Sequence, residues 1–565
     1  MYVSTQLYLI NSQKNEYKIK FQLYDNNSKT ALTTKMTLTI ADYIKLVITG
    51  VSFIDFLVFM GLFLNFMLVI PKVATNIGTK IASVCIIIFF IVFKIMHIPM
   101  FLSTISVFNF TIPHTDIILG VLTWVNIGLA AIPLWFAVYT SFMRKTVSKK
   151  ELAASTNKQV FIIMPIYNEV PEALWDAIES VMKLDYNLSL VHLYLCFDDD
   201  KPNDAFMYII NKFELIYENI KTLSSIGIKD NKTGLNVSIL RLPHGGKKSA
   251  QYGGFKEISR HYPNSLDESL VFFIDSDIVL KNDSLSQFTH YMQKYDKYCL
   301  TGMITCIASD KPNFLTYYQD IEYISGQVFT RNMETYLGAT SCLPGAFTIL
   351  KYSCLKEVSE RYFTITEYSS MYDYHRFYLG EDRYLTHLLM EEYPWKIGFC
   401  EAAKCKTHAP NETMALLKQR RRWALGHIAN DTWMMSSVKL WVTYPLLSLF
   451  NLLNNSRNSS IYIYLLYFVL LLNKEVPVAM WIVFIILPII LNWLFITVYA
   501  LKTNRKMNIP FYFMILAIQP ILSMMYMYYT IWTMKDLSWG GARVEKETPK
   551  ETETPEPEMT IVIIK

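Results

Sequence analysis

The chain lacks most of the features that would classify it quickly. Charge of either sign is not in surplus: 53 Lys and Arg stand against 48 Asp and Glu, a formal net of +5. The cytoplasmic loops of a membrane protein can supply that excess, and it does not argue for a nucleic-acid partner. Cysteine is present 8 times but without the spacing of a disulfide framework. All but Cys85 fall in the polar middle of the chain, where reduced thiols are expected if that region is cytosolic. Cys400 and Cys405 with His408 make half a zinc site, and no fourth ligand accompanies them. Residues 1–42 are polar with scattered aromatics and lack the basic start, apolar run and cleavage site of a signal peptide, so they are expected to be retained.

What is present is apolar. With 52% hydrophobic and 18% charged residues and a mean hydropathy of +0.22, the chain is too apolar for an ordinary soluble enzyme and too charged for a pure membrane bundle. Three runs, Leu46–Ile70, Ile81–Leu102 and Ile117–Phe142, each approach the about 20 residues that cross a bilayer core. Lys72 and Lys80 lie between the first two, no Lys or Arg lies between the second and third, and MRKTVSKK ends the last. The positive-inside rule then places the N-terminus outside and delivers the chain to the cytosol after Phe142. Further apolar runs follow at Leu440–Leu453, Ile461–Leu472, Val476–Leu501 and Pro510–Thr533, before a charged, Pro-containing tail. We therefore expect segments at 1–42 (polar), 43–143 (three transmembrane helices), 144–415 (a cytosolic domain), 416–437 (an interfacial amphipathic segment), 438–535 (transmembrane or interfacial helices) and 536–565 (tail). Asp55 and Lys94, inside predicted membrane runs, either snorkel, mark misplaced span ends or line a cavity.

In the middle region strand-like runs alternate with helical ones: KQVFIIMPIYNE, PEALWDAIESVMKL, LVHLYLCFDDD and LVFFIDSDIVL. Such alternation predicts a parallel, doubly wound α/β sheet with ligands at the carboxyl ends of its strands. Polar clusters follow the apolar runs. Asp275 and Asp277 stand two apart after a buried strand, where both carboxylates point to one side and can hold Mg²⁺ or Mn²⁺. Two glycines precede Lys247 and Lys248, so backbone can turn around an anion while a lysine neutralises it, although the spacing is not that of a P-loop. Asp198, Asp199 and Asp200 can accept hydrogen bonds from a base or ribose. Glu381 and Asp382 open a helical pattern, where one carboxylate suffices for general-base catalysis. The small residues of SCLPGAF, among them Cys342, Pro344 and Gly345, let a polymer approach the backbone. Each cluster alone also reads as a solvated turn or a helix cap.

Taken together, IMPIYNE, CFDDD, HGGKK, DSD, QDIEY, CLPGAF, GEDRYL, QRRRW and SWGGAR, running from Phe161 to Arg543, resemble the processive family 2 glycosyltransferases and chitin synthases in particular. The resemblance implies a multi-pass α-helical membrane protein with an inserted cytosolic, Rossmann-like domain of the GT-A type. It implies that Tyr167, Glu169, Asp198 and Lys247 contact UDP, that Asp275 contacts the donor, and that Asp277 binds the metal. It further implies that Asp382 is the base, with Glu381 beside it, and that Gln419, Arg422 and Trp423 hold acceptor sugar and diphosphate. Arg420 and Arg421 are left as partial membrane anchors. The family's terminal W-G-T-R pattern is imperfect here: Trp539 and Gly540 match, but Gly541 and Ala542 precede Arg543.

The function so implied is inverting β-1,4 transfer of N-acetylglucosamine from UDP-N-acetylglucosamine to a growing chain. Mg²⁺ or Mn²⁺ is the expected cofactor, and the polymer leaves across the plasma membrane. Asp382 and Trp539 can serve one site only if an even number of crossings lies between them, and two is the preferred count. A hyaluronan synthase, a lipid-linked glycosyltransferase and a transporter with a cytosolic regulatory domain are the alternatives.

Overall fold

The computed structural model describes the backbone of residues 2–8, 16–24 and 31–39. It describes 147–458 apart from breaks at 156, 214–224, 230–233, 263–265, 307–312, 365–367, and parts of 490–536, chiefly 525–536. The chain divides into two units, 1–131 with 451–490, and 132–450 with 491–565. In the first, β1 (Tyr2–Tyr8), β2 (Glu16–Tyr24) and β3 (Ala31–Thr39) form an antiparallel sheet in the order β1-β2-β3. The three N-terminal apolar runs lie outside the described residues. Among the described residues no helix is long and apolar enough to cross a membrane. Of the run Leu440–Leu453, the first part folds as a short helix, Val438–Thr443, which ends at Tyr444.

The second unit is built on a nine-stranded sheet. Its strands are β4 (Val160–Ile166), β5 (Val191–Asp198), β6 (Ser225–Lys229), β7 (Asn236–Leu242), β8 (Leu270–Ile274), β9 (Ile278–Leu280), β10 (Cys299–Cys306), β11 (Phe347–Lys351) and β12 (Ile397–Thr407). The order is β6-β7-β5-β4-β8-β11-β10-β12-β9. Every residue of β4, β5 and β8 is buried, as expected where helices cover both faces of a sheet. Alternation along β4 shows the two faces. Ile162 and Met164 join Leu174 and Ile178 of α1 (Pro171–Met182), while Phe161 and Ile163 join Ala250, Phe255 and Ile258 of α2 (Lys247–His261). Beyond α2 come α3 (Ser284–Tyr295), α4 (Phe314–Ile324), α5 (Asn332–Tyr336), α6 (Tyr352–Phe363), α7 (Glu381–Glu392) and α8 (Thr413–Ser436).

The sheet is mixed, which corrects the parallel reading. β7, β5, β4 and β8 are mutually parallel, and β10 is parallel to β12. β6, β9 and β11 run antiparallel to their neighbours. An apolar run reports burial, and burial is the same for either strand direction, so hydrophobicity does not encode this choice. The reversal of β11 has a consequence for the site. The loop entering β11 lies on the same sheet edge as the loops leaving β4, β5, β7 and β8.

Candidate active site

Along that edge, the sequence motifs converge. At the end of β5, Asp198 is 2% exposed and both its carboxylate oxygens are occupied: Oδ1 accepts the Gly245 amide at 2.8 Å and Oδ2 the Gly246 amide at 2.9 Å. His244 Nδ1 lies 3.1 Å from Oδ2, and Asp200 Oδ1 accepts the His244 amide at 3.1 Å. Asp198 and Asp200 therefore latch the HGG turn. Gly246 has φ +82°, ψ 175° as the residue before α2, a backbone that favours glycine. Tyr167, leaving β4, stacks on His244 with ring centroids 4.6 Å apart.

The latch delivers Lys247. Its Nζ lies 2.5 Å from Asp275 Oδ1. Burial opposes its charge, but Asp275 and then Glu381 outweigh it and hold the lysine above its usual range. A Cβ on Gly345 would stand 3.3 Å from the same Nζ, so the CLPGAF loop closes over Lys247. Lys248 lies 5.1 Å over the Tyr362 ring, and burial lowers it to about 8. Its ammonium has no hydrogen-bond partner among the described residues.

Asp277 is the crowded carboxyl. Burial, then Asp275 and Glu169, push it up to about 7, against the Thr407 hydroxyl, which donates to Oδ2 at 2.8 Å. Ser276 Oγ donates to Glu169 Oε2 at 2.7 Å. Among the described residues no group of three or more His, Cys, Asp or Glu is arranged to hold a metal ion, which includes the half site at Cys400 and Cys405. The Asp275–Asp277 pair nevertheless fits a hard divalent cation. Such an ion commonly takes one or two carboxylates and completes its shell with phosphate and water oxygens, and its charge would relieve the repulsion raising Asp277.

Across the loop from these groups, α7 opens on Glu381 and Asp382. Glu381 is 6% exposed, and burial together with Asp382 pushes it up to about 7 against the pull of Lys247 and Arg422. Asp382 Oδ1 accepts the Arg383 amide at 2.8 Å. Its other oxygen, Oδ2, receives the Cys342 thiol at 3.6 Å. Burial and Asp382 push that thiol up to about 12. The Leu343 amide donates to Thr386 Oγ1 at 2.8 Å, tying CLPGAF to α7.

QRRRW sits on α8, and a backbone crossing places it. Gly426 lies so close to Gly380 that a Cβ there would be 2.7 Å from the Gly380 Cα. Asn430 Nδ2 donates to the Gly380, Arg376 and Gly426 carbonyls at 3.0, 3.1 and 3.0 Å. Arg420 and Arg421 are buried in protein, at 5% and 2% exposure, which corrects their reading as partial membrane anchors. Arg420 Nε donates to Glu322 Oε2 at 2.8 Å, linking α8 to the QDIEY segment on α4. Its guanidinium also lies 4.3 Å under the Trp423 ring. Arg421 Nε donates to Thr533 Oγ1 at 2.8 Å and Nη2 to the Thr533 carbonyl at 2.7 Å. Trp423 remains 38% exposed, with Tyr323 at its edge, 6.2 Å between centroids. Gln419 Oε1 accepts Arg420 Nη1 at 2.5 Å. Buried residues from Leu416 to Ser436 occupy several faces of α8.

A family model described as chitin synthase matches residues 252–560. The chain belongs to the chitin synthase family. It is 32% identical over 443 residues to chitin synthase VI of Metarhizium acridum, covering 74% of this chain and 68% of that one. It is also 32% identical over 492 residues to chitin synthase 7 of Pyricularia oryzae, covering 82% of this chain and 58% of that one. Against chitin synthase 7 of Verticillium dahliae the share of the relative covered is 62%, so the chain spans about three fifths of these two longer relatives. Among solved structures, a mannosyltransferase of Pyrobaculum calidifontis in complex with GDP-Man and Mn²⁺ aligns over 72% of this chain and 97% of that one, at 12% identity and a TM-score of 0.41.

Of the predicted site residues of this chitin synthase family member, Lys247, Asp275, Gly345, Glu381, Arg422, Asp382 and Cys342 are brought together. Asp198 ends β5, and Tyr167, Glu169 and Asp277 lie on the loops beside them. Trp539 and Arg543 lie outside the described residues. Sequence reasoning missed Asn430, Thr386 and Thr407. These act by touching backbone or a neighbouring carboxylate across long sequence separations. No local spacing marks them.

Proposed function

We propose that this chain is a processive chitin synthase, transferring N-acetylglucosamine from UDP-N-acetylglucosamine to the end of a β-1,4-linked polymer with inversion. The observation that carries the reading is the convergence of DSD, HGGKK, CLPGAF and GEDR on one edge of one sheet, with Lys247 and Arg422 close to the Glu381–Asp382 pair. Lys247 lies against Asp275, and Lys247 and Arg422 both lie near Glu381; the two cations can take the diphosphate's negative charge as UDP leaves. Such fixed positive charge stabilises a departing anion more effectively than water does. The acceptor hydroxyl oxygen attacks the anomeric carbon from the opposite side. Its proton passes to Asp382 Oδ2, which accepts the weak donor Cys342 Sγ, while Oδ1 holds the Arg383 amide. The sugar–phosphate bond breaks and UDP carries away the electron pair.

Asp277, with Asp275, would hold Mg²⁺ or Mn²⁺, which when bound supplies further positive charge at the diphosphate. Trp423, half uncovered and backed by Arg420, offers a flat apolar face to the acceptor sugar while leaving its hydroxyls free. Stacking of that kind orients a sugar without locking its register, so the polymer can advance by one unit. Export through a multi-pass membrane region of the same chain completes the reading. Purified chain in detergent or lipid, given UDP-N-acetylglucosamine alone with Mg²⁺ or Mn²⁺, should make polymer digested by chitinase. A strict requirement for UDP-glucuronic acid, or a product cut by hyaluronidase, would overturn it.

A further inference from the structure

Glu334 lies on α5, outside every motif discussed above, and is 3% exposed. Its Oε2 accepts the Ser341 amide at 2.9 Å and the Thr340 hydroxyl at 3.2 Å, and its Oε1 accepts the Ser341 hydroxyl at 2.7 Å. A buried carboxylate is costly unless several donors satisfy it, and here the donors all belong to the turn that leads into CLPGAF. The next residue, Cys342, donates its thiol to Asp382 Oδ2, and the one after, Leu343, donates its amide to Thr386. Thr386 Oγ1 in turn donates to the Asp382 carbonyl at 2.6 Å. The turn is thus clamped at one end by Glu334 and at the other by the first turn of α7. Burial raises the Glu334 carboxyl above its usual range, opposed by the Ser341 bonds and then by the charges of Arg383 and Arg331.

We infer that Glu334 is a positioning residue of the acceptor site. By holding Thr340 and Ser341, it sets where Cys342 meets Asp382, and so where the oxygen that takes the acceptor's proton stands. It touches neither sugar nor diphosphate. The inference rests on the reading of Asp382 as base for its effect on transfer, but the clamp itself can be tested without turnover.

The test compares the full chain with Glu334→Gln and Ser341→Ala. In one arm, N-ethylmaleimide labelling of Cys342 is followed by peptide mass spectrometry, with fully buried Cys299 as the control for general unfolding. Loss of charge-assisted bonds to a buried turn should raise Cys342 labelling by about tenfold in Glu334→Gln and less in Ser341→Ala. Cys299 should be unchanged. In the other arm, UDP affinity and the partition of donor between polymer and hydrolysis are measured. A misplaced base should shift that partition toward hydrolysis by about tenfold or more with UDP affinity preserved. Unchanged Cys342 labelling, an equal rise at Cys299, or a wild-type partition in Glu334→Gln would overturn the inference. A wild-type chain that makes no polymer would count against the proposed function instead, and the labelling arm would still decide the role of Glu334.

Discussion

Gly426→Ala should separate the base from the acceptor helix. A methyl at position 426 would lie 2.7 Å from the Gly380 Cα and 2.9 Å from both the Gly380 nitrogen and the Leu379 carbonyl oxygen. Carbon atoms in contact sit about 3.5–4.0 Å apart, so the backbones must part by about 1 Å. All three obstructing atoms are backbone, and no side chain can turn aside. Two effects oppose each other in stability. Alanine gains about 1 kcal/mol over glycine within a helix, whereas overpacking costs about 1–3 kcal/mol, leaving a net loss of about 0–2 kcal/mol. Activity is the sharper readout. Gly380 immediately precedes Glu381 and Asp382, and Gly426 shares its helix with Arg422 and Trp423, so the shift moves base and acceptor site relative to each other. A misplacement of that size can cost about 100-fold in rate. UDP affinity should fall much less, because Lys247 is held by the Asp198 latch and Asp275, neither of which touches the crossing. The assay is polymer formation beside UDP titration and urea unfolding. A variant that polymerises at the wild-type rate would refute the claim that this crossing sets the site.

Two further predictions concern the carboxyls of α7. Asp382→Asn should lower polymer formation by about 10²–10⁴-fold, the usual contribution of a general base, while the variant still binds UDP; wild-type turnover by a folded variant would remove Asp382 from the role. Glu381 is raised from 4.5 to about 7, so between those pH values the folded protein holds a proton that the unfolded chain has released. Stability from this group is therefore lost as pH rises from about 4.5 to about 7. Glu381→Gln should gain stability relative to wild type across that window and hold the gain above it. Urea midpoints at pH 4.5 and pH 8 check this, and a difference that does not change with pH would contradict the assignment.

Much of the site was legible in the residues themselves, because its chemistry needs particular side chains in short runs after buried strands. Asp275 and Asp277, the HGGKK turn and the GED turn announce charge at strand and helix ends without any coordinates. Their order along the chain then identified the family. The same local pattern could not assign partners. Asp198 stands at a strand end in the sequence, but that its oxygens hold the Gly245 and Gly246 amides came only with the fold. Arg420 and Arg421 looked like a basic flank beside an apolar run. In the folded chain one pairs with Glu322, 98 residues away, and the other with Thr533, 112 residues away.

The linear chain thus carried the apolar runs, the buried strands and the inventory of candidate site groups, since hydrophobicity and side-chain chemistry are properties of each residue where it stands. Strand direction, the Gly380–Gly426 crossing and the Glu334 clamp came only with the tertiary structure. They depend on which backbone meets which, and two glycines or a buried glutamate have no local signature of the partner they will find. The reversal of β11 shows what hung on that. It places Cys342 and Gly345 on the same edge as Lys247 and Asp382, and turns separate motifs into one site.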